Sequence, residues 1–155
     1  MPQKYIISTE IVDYNNTFEM RMKLSVRSEY ALLALIDLAE NSNENTICTI
    51  GAIAERKKIP KKFLEQILLI LKRGGYVKSR KGAAGGYRLA KNSSEISVAE
   101  VVRLMDGALA PVESVSTYFY ESTPIEQSPR LINLFKDIRD YIAEKLESTS
   151  LADLL

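Results

Sequence analysis

Apolar residues are packed so densely along "SVRSEYALLALIDLAE" (residues 25–40) that they predict a deeply buried helix, with Ser25 as its cap. "NSNEN" then reads as a loop, and a short helix is expected from about Ile50 to Lys57. "KKIP" turns the chain, and Pro60 suits the first position of a helix running to about Arg73 and stopping at Gly74-Gly75. In that helix Leu64, Ile67, Leu68 and Leu71 recur at helical spacing and form a buried stripe, while Lys62 and Gln66 point the other way and Glu65 sits on a flank. Leu69 and Ile70 make its second half apolar on further faces, so only its first turns meet water. Two short helices across a tight turn, with Ala54 and Ile59 inward, are a helix-turn-helix candidate, although a plain helical hairpin shares the pattern.

The period then changes from helical to alternating. "YVKSR" and "YRLAK" predict two antiparallel strands joined by "KGAAGG", and a hairpin placed directly after a helix-turn-helix is a wing. "ISVAEVVRLMDG" returns to helix, with a capping box from Ser97 and Glu100, a staple from Ile96 and Val101, and Gly107 as the stop. Residues 108–127 look irregular. From Ser128-Pro129 a helix of about 28 Å is expected to run to about Glu147, with Leu131, Leu134, Phe135, Ile138, Tyr141 and Ile142 on one stripe. That stripe needs a cover, supplied either by a second copy across a two-fold axis or by the chain's own domain. Residues 1–21 show no clear period, read as a short strand or as disorder, and leave Met22 as an alternative start. The fold class is therefore mainly α with a small β-hairpin wing. It comprises an extension (1–21), a winged helix-turn-helix domain (22–92), a connecting helix and loop (93–128), and a long helix, expected to serve dimerisation, with a tail (129–155).

Charge sharpens this outline. The net charge is only +1, yet Glu55 to Lys91 carries twelve Lys or Arg against Glu55 and Glu65, leaving −9 on the rest of the chain. Like charges this concentrated repel one another unless a polyanion offsets them, which points to nucleic acid. The longest aliphatic run, Ala31 to Ile36, is too short to span a bilayer, and the N-terminus lacks a signal-peptide core, so a cytoplasmic protein with no membrane partner is expected. The single cysteine, Cys48, fits a reducing compartment and reads as a small buried or loop thiol, with a redox switch as the alternative.

The glycine-rich "RKGAAGGYRLAK" (residues 80–91) is no nucleotide loop. A dinucleotide site needs a helix after its glycines, whereas here a strand follows, and no Gly-Lys-Ser/Thr completes a Walker pattern. The segment is a hairpin tip. Arg80, Lys81 and Arg88 surround glycines that let the backbone lie close to another surface, which fits DNA phosphates near the minor groove. A tight turn with incidental lysines is the plainer reading. In the preceding helix Gln66 is placed to read adenine and Glu65 to accept from cytosine, while Lys61 and Lys62 meet phosphate. Glu65 equally well pairs with Lys61 or Lys62 along the helix. Enzyme chemistry finds no support: there is no histidine, no Gly-x-Ser-x-Gly elbow and no metal-ligand spacing.

"MKLSVRSEYALLAL", "FLEQILLILKRGGYVKSRKGAAGGYRLAK", "ISVAEVVRLMDG" and "STSLADLL" together resemble the Rrf-two family of bacterial transcriptional regulators, over about Met22 to Leu155. The resemblance implies a homodimeric winged-helix protein that binds double-stranded DNA at a palindromic operator, with the long C-terminal helices crossing between subunits; a repressor is expected. By position Lys62, Phe63, Glu65 and Gln66 match its recognition helix, and Lys81, Gly82, Gly85, Gly86 and Tyr87 match its wing; DNA contacts are expected from these, from the neighbouring Lys61 and Arg80, and from Lys23, Ser25 and Arg27 at the first helix. Cluster-binding members carry three cysteines after the "MDG" helix. Here that stretch reads "GALAPVESVSTYFYESTPIEQSP", with Ser114 at the first expected position, so no cofactor is expected. The 108–127 loop is then left to take a small-molecule effector or dock a metabolic enzyme, with Tyr118, Phe119 and Tyr120 as contacts unless they are core. An interaction module that regulates an enzyme without binding an operator is the alternative function.

Overall fold

A computed structural model describes residues 24–155; the 1–21 extension and Lys23 lie outside the described residues. Helix α1 (Val26–Asn41) starts where expected, because the Ser25 side chain accepts the Ser28 N–H at 3.1 Å. Ala31, Ala34, Leu35 and Leu38 are wholly buried. The apolar run is nevertheless not buried all round. Leu33 stays exposed, and the buried face instead includes Asp37, whose carboxylate is bidentate to Arg56 at 2.8 and 2.7 Å.

Helix α2 (Ile50–Lys57) is capped by Thr49 and buries Ile53. Lys58 then adopts a left-handed φ of 57° that turns the chain, and Ile59 is buried behind it. Ala54 is half-buried beside it. Helix α3 (Lys61–Arg73) buries Leu64, Ile67, Leu68 and Leu71, the four stripe positions. Pro60 lies one residue outside this helix. Its extended backbone directs its carbonyl to accept from both Phe63 and Leu64 at 3.0 Å, which makes it the cap and not the first helical residue.

Strands β1 (Val77–Arg80) and β2 (Gly86–Leu89) pair antiparallel with Val77 opposite Leu89 and Arg80 opposite Gly86. A third segment joins them. Cys48 and Tyr87 exchange two backbone hydrogen bonds of 2.8 Å, so the stretch before α2 is stitched to the wing. Helix α4 (Val98–Asp106) carries the reciprocal Ser97–Glu100 capping box. The chain's last residues return to it: Val98 donates to Thr149 and Leu151 donates to Ile96, both at 2.9 Å, and Leu151 is fully buried in the common core. Helix α5 (Pro129–Glu147) flanks α4 but buries none of its own residues.

Candidate nucleic-acid interface

The first turns of α3 are open to solvent. Lys61, Lys62, Glu65 and Gln66 are all exposed, opposite the four buried leucine and isoleucine positions. No ion pair joins Glu65 to Lys61 or Lys62 among the described residues, which leaves the Glu65 carboxylate available at this surface. Phe63 points elsewhere. Its ring meets Tyr30 edge to face with centroids 5.6 Å apart, so it is half-buried and sets the angle of α3 against α1.

At the wing the register places Lys78 directly opposite Arg88. Like charges facing each other across two strands are destabilising in isolation. Arg80 and Lys81 extend the same charge to the tip, where the Arg80 guanidinium folds back to donate to the Ala84 carbonyl at 3.0 Å. Lys72 of α3 reaches the wing and donates to Ser79 at 2.6 Å, tying the recognition helix to the hairpin. Of the twelve cations between residues 55 and 91, only Arg56 and Lys57 form ion pairs among the described residues. The other ten have no carboxylate partner there.

Two of the hairpin glycines are required by the chain's own packing. A β-carbon on Gly86 would lie 2.4 Å from the Cys48 carbonyl oxygen, and one on Gly85 would lie 2.4 Å from the Arg80 carbonyl oxygen. At both positions the close approach that only glycine permits is made to the chain's own backbone. Gly82, with φ of +104° and open space around it, is the glycine that faces outward. Tyr87 is likewise half-buried and engaged by Cys48.

At the N-terminus of α1, Arg27 is exposed, but Ser25 is already occupied. Its N–H donates to Asp106 Oδ2 at 3.0 Å and its hydroxyl donates to Asp106 Oδ1, while it also caps α1. Sequence reading missed this contact, which spans 81 positions, and no local pattern announces it. It also passed over Lys78, although alternation alone puts Lys78 on the open face of its strand.

Beyond α4, Tyr118 is 75% exposed and Phe119 and Tyr120 are exposed too, so the trio is not core. The Tyr120 hydroxyl donates to Glu126 at 2.6 Å, which holds the Glu126 carboxyl below its ordinary range and raises the phenol above its own. On α5, Leu131, Leu134 and Tyr141 are exposed, whereas Phe135, Ile138 and Ile142 are half-buried.

An open recognition-helix start, a cationic hairpin and the strand order are the geometry of a winged helix. Comparison with known proteins decides between families: the family model for Rrf2, described as an iron-dependent transcriptional regulator, matches residues 24–155. The chain belongs to the Rrf2 family. The HTH-type transcriptional regulator CymR of Bacillus subtilis is 32% identical over 133 residues, covering 86% of this chain and 89% of CymR. The HTH-type transcriptional regulator IscR of Photorhabdus laumondii is 35% identical over 137 residues, covering 86% and 79%. Among solved structures, the global cysteine regulator CymR of B. subtilis superposes with a TM-score of 0.69 at 30% identity, covering 86% of this chain and 96% of that one. T. potens IscR gives 0.66 at 28% identity, covering 87% of each. This Rrf2-family chain is accordingly a DNA-binding transcriptional regulator, and its relatives are regulators, not enzymes.

The family description names iron, so the donor set matters. The chain has one cysteine, Cys48, and no histidine. Ser114, at the position where the first thiolate is expected, is buried, and its hydroxyl oxygen accepts from Thr123 at 2.8 Å. A neutral hydroxyl already bound to another hydroxyl is a poor iron ligand, and no group of three or more His, Cys, Asp or Glu suited to a metal occurs among the described residues. These residues do not fit an iron–sulfur cluster.

Proposed function

We propose that this regulator is a homodimeric repressor that reads a palindromic operator and responds to its signal without an iron–sulfur cluster. The observation that carries the reading is the set of ten cations, from Lys58 to Lys91, without a carboxylate partner among the described residues, including the opposed Lys78 and Arg88. Phosphates lying against the wing relieve that repulsion, while the first turns of α3 offer Gln66 and Glu65 to base edges. The exposed Leu134 and Tyr141 on α5 supply the second contact, since a two-fold copy buries both stripes at once. Repression follows when the bound dimer excludes polymerase from an overlapping promoter. The 108–127 loop takes the signal, either as a small molecule or through an enzyme partner.

The test is binding of the purified protein to genomic fragments across a salt series, followed by footprinting. A two-fold symmetric footprint and affinity that falls steeply with salt are expected. Lys81→Ala should weaken binding to every sequence about equally and lower the salt slope by about one. Dimers without any footprint would instead favour an interaction module. In sedimentation, the pair Leu134→Glu and Tyr141→Glu should shift the protein towards monomer and cut operator affinity by more than tenfold. If it stays dimeric, α5 is not the interface.

A further inference from the structure

We propose that the pocket between α4, α5 and residues 108–118 binds a small zwitterion of the α-amino acid type, which acts as the effector. This inference rests on the regulator reading and names the chemistry of its signal. The pocket has a volume of about 130 Å³. That is near the roughly 150 Å³ of a protein cavity that admits benzene, so the part of a ligand held in this half-open pocket is amino-acid-sized.

Its charges select among small ligands. Two guanidiniums, Arg103 and Arg139, face two carboxylates, Asp140 and Glu147. Arg139 is largely committed: it donates to the Val115 carbonyl at 2.8 Å and to Asp140 Oδ1 at 2.7 Å. Arg103 spends only one nitrogen, on Glu147 Oε1, and keeps the rest of its donor fork open. Asp140 Oδ2 and Glu147 Oε2 have no hydrogen-bond partner among the described residues. A ligand carboxylate therefore meets Arg103, and a ligand ammonium meets the two spare carboxylate oxygens. A simple anion would face both carboxylates, and a simple cation would face both guanidiniums. Only a molecule carrying both signs meets both sets of open groups. Ala108, Leu109, Ala110, Tyr118 and Ala143 are among the residues that line the remaining space, and the small volume left beside the charged groups favours a short side chain.

The pocket has a route to the DNA-binding domain. Ala108 follows Gly107, which ends α4 beside Asp106, and Asp106 holds both donors of Ser25 at the start of α1. The Phe119 ring packs about 3.6 Å from the β-carbon position of Gly107. Movement of residues 108–119 around a bound ligand thus pulls on the cap of α1.

The experiment screens the full-length protein by thermal shift and operator titration with the neutral L-amino acids, with propionate and ethylamine at equal concentration as single-charge controls. At least one small amino acid should raise the Tm and change operator affinity about fivefold or more, with neither control doing so. Ala143→Leu and Ala108→Leu, which fill the pocket, should abolish the response while ligand-free operator binding is retained. Asp106→Asn should keep the Tm rise but lose the change in operator affinity. The inference is overturned if no amino acid acts, if propionate or ethylamine acts as well, or if both filled variants respond normally. An Asp106→Asn protein whose operator affinity still responds removes the relay. Ligand-free operator binding is read in the same titration, so loss of the pocket is distinguishable from loss of the DNA-binding reading.

Discussion

Arg56→Ala is expected to lower the unfolding free energy by about 3 kcal/mol. Asp37 is 0% exposed, and its charge is compensated by the bidentate Arg56 contact, whose own side chain is 39% exposed. Removing Arg56 strands a buried carboxylate, and the expected cost is that uncompensated charge and not the Coulomb energy of the pair. The figure sits at the low end of the range for buried pairs because the cation side reaches solvent. The carboxylate also pushes the Arg56 pKa further up from an already high value, so the pair does not lose its cation at working pH. Urea denaturation at neutral pH measures the effect. A paired substitution, Asp37→Leu with Arg56→Met, should recover most of the loss, since no lone charge then remains buried. A single Arg56→Ala protein within about 0.5 kcal/mol of the parent would show that water reaches Asp37. The consequence is functional as well, because this contact ties α2 to α1 and so orients the helix-turn-helix.

Gly86→Ala should cost about 3 kcal/mol, from overpacking plus the loss of two backbone hydrogen bonds. The added carbon would fall 2.4 Å from the Cys48 carbonyl oxygen, and that obstacle is backbone, which cannot rotate aside. The two segments must part, and the paired 2.8 Å bonds between Cys48 and Tyr87 break with them. Hydrogen exchange should show the Tyr87 and Cys48 amides losing protection together, with operator affinity falling because the wing loses its anchor. Gly82→Ala is the comparison: its site is open, and only its positive φ resists the change, so the loss should be about 1 kcal/mol. Retained protection at Cys48 in the Gly86 variant would mean that the wing is not held by this bridge.

Much of the fold is legible in the order of residues. The buried stripe at Leu64, Ile67, Leu68 and Leu71 is correct at every position, because a 3.6-residue period states which side faces the core. The Ser97–Glu100 capping box and the two hairpin strands follow from equally local chemistry. Phe63 and Ser25 show where this stops. Both lie in segments that resemble DNA-contacting stretches, yet one is turned inward onto Tyr30 and the other is held by Asp106. Pattern identifies a face only when one element decides it. Where a partner arrives from a distant element, the sequence carries no period to reveal it.

By itself, then, the order of residues determined the helices, the hairpin, the concentration of charge between residues 55 and 91, and the want of thiolates around Ser114. These depend on neighbours a few positions apart or on simple counts. Tertiary structure alone decided that Cys48 adds a third segment to the wing, that Asp37 is buried against Arg56, that the closing Leu151 returns to the core, and that Asp106 grips Ser25. Each of these contacts joins residues far apart in the chain, so the hydrogen bond, ion pair or apolar burial that favours it exists only once the fold brings both partners together, and no single stretch of sequence contains it.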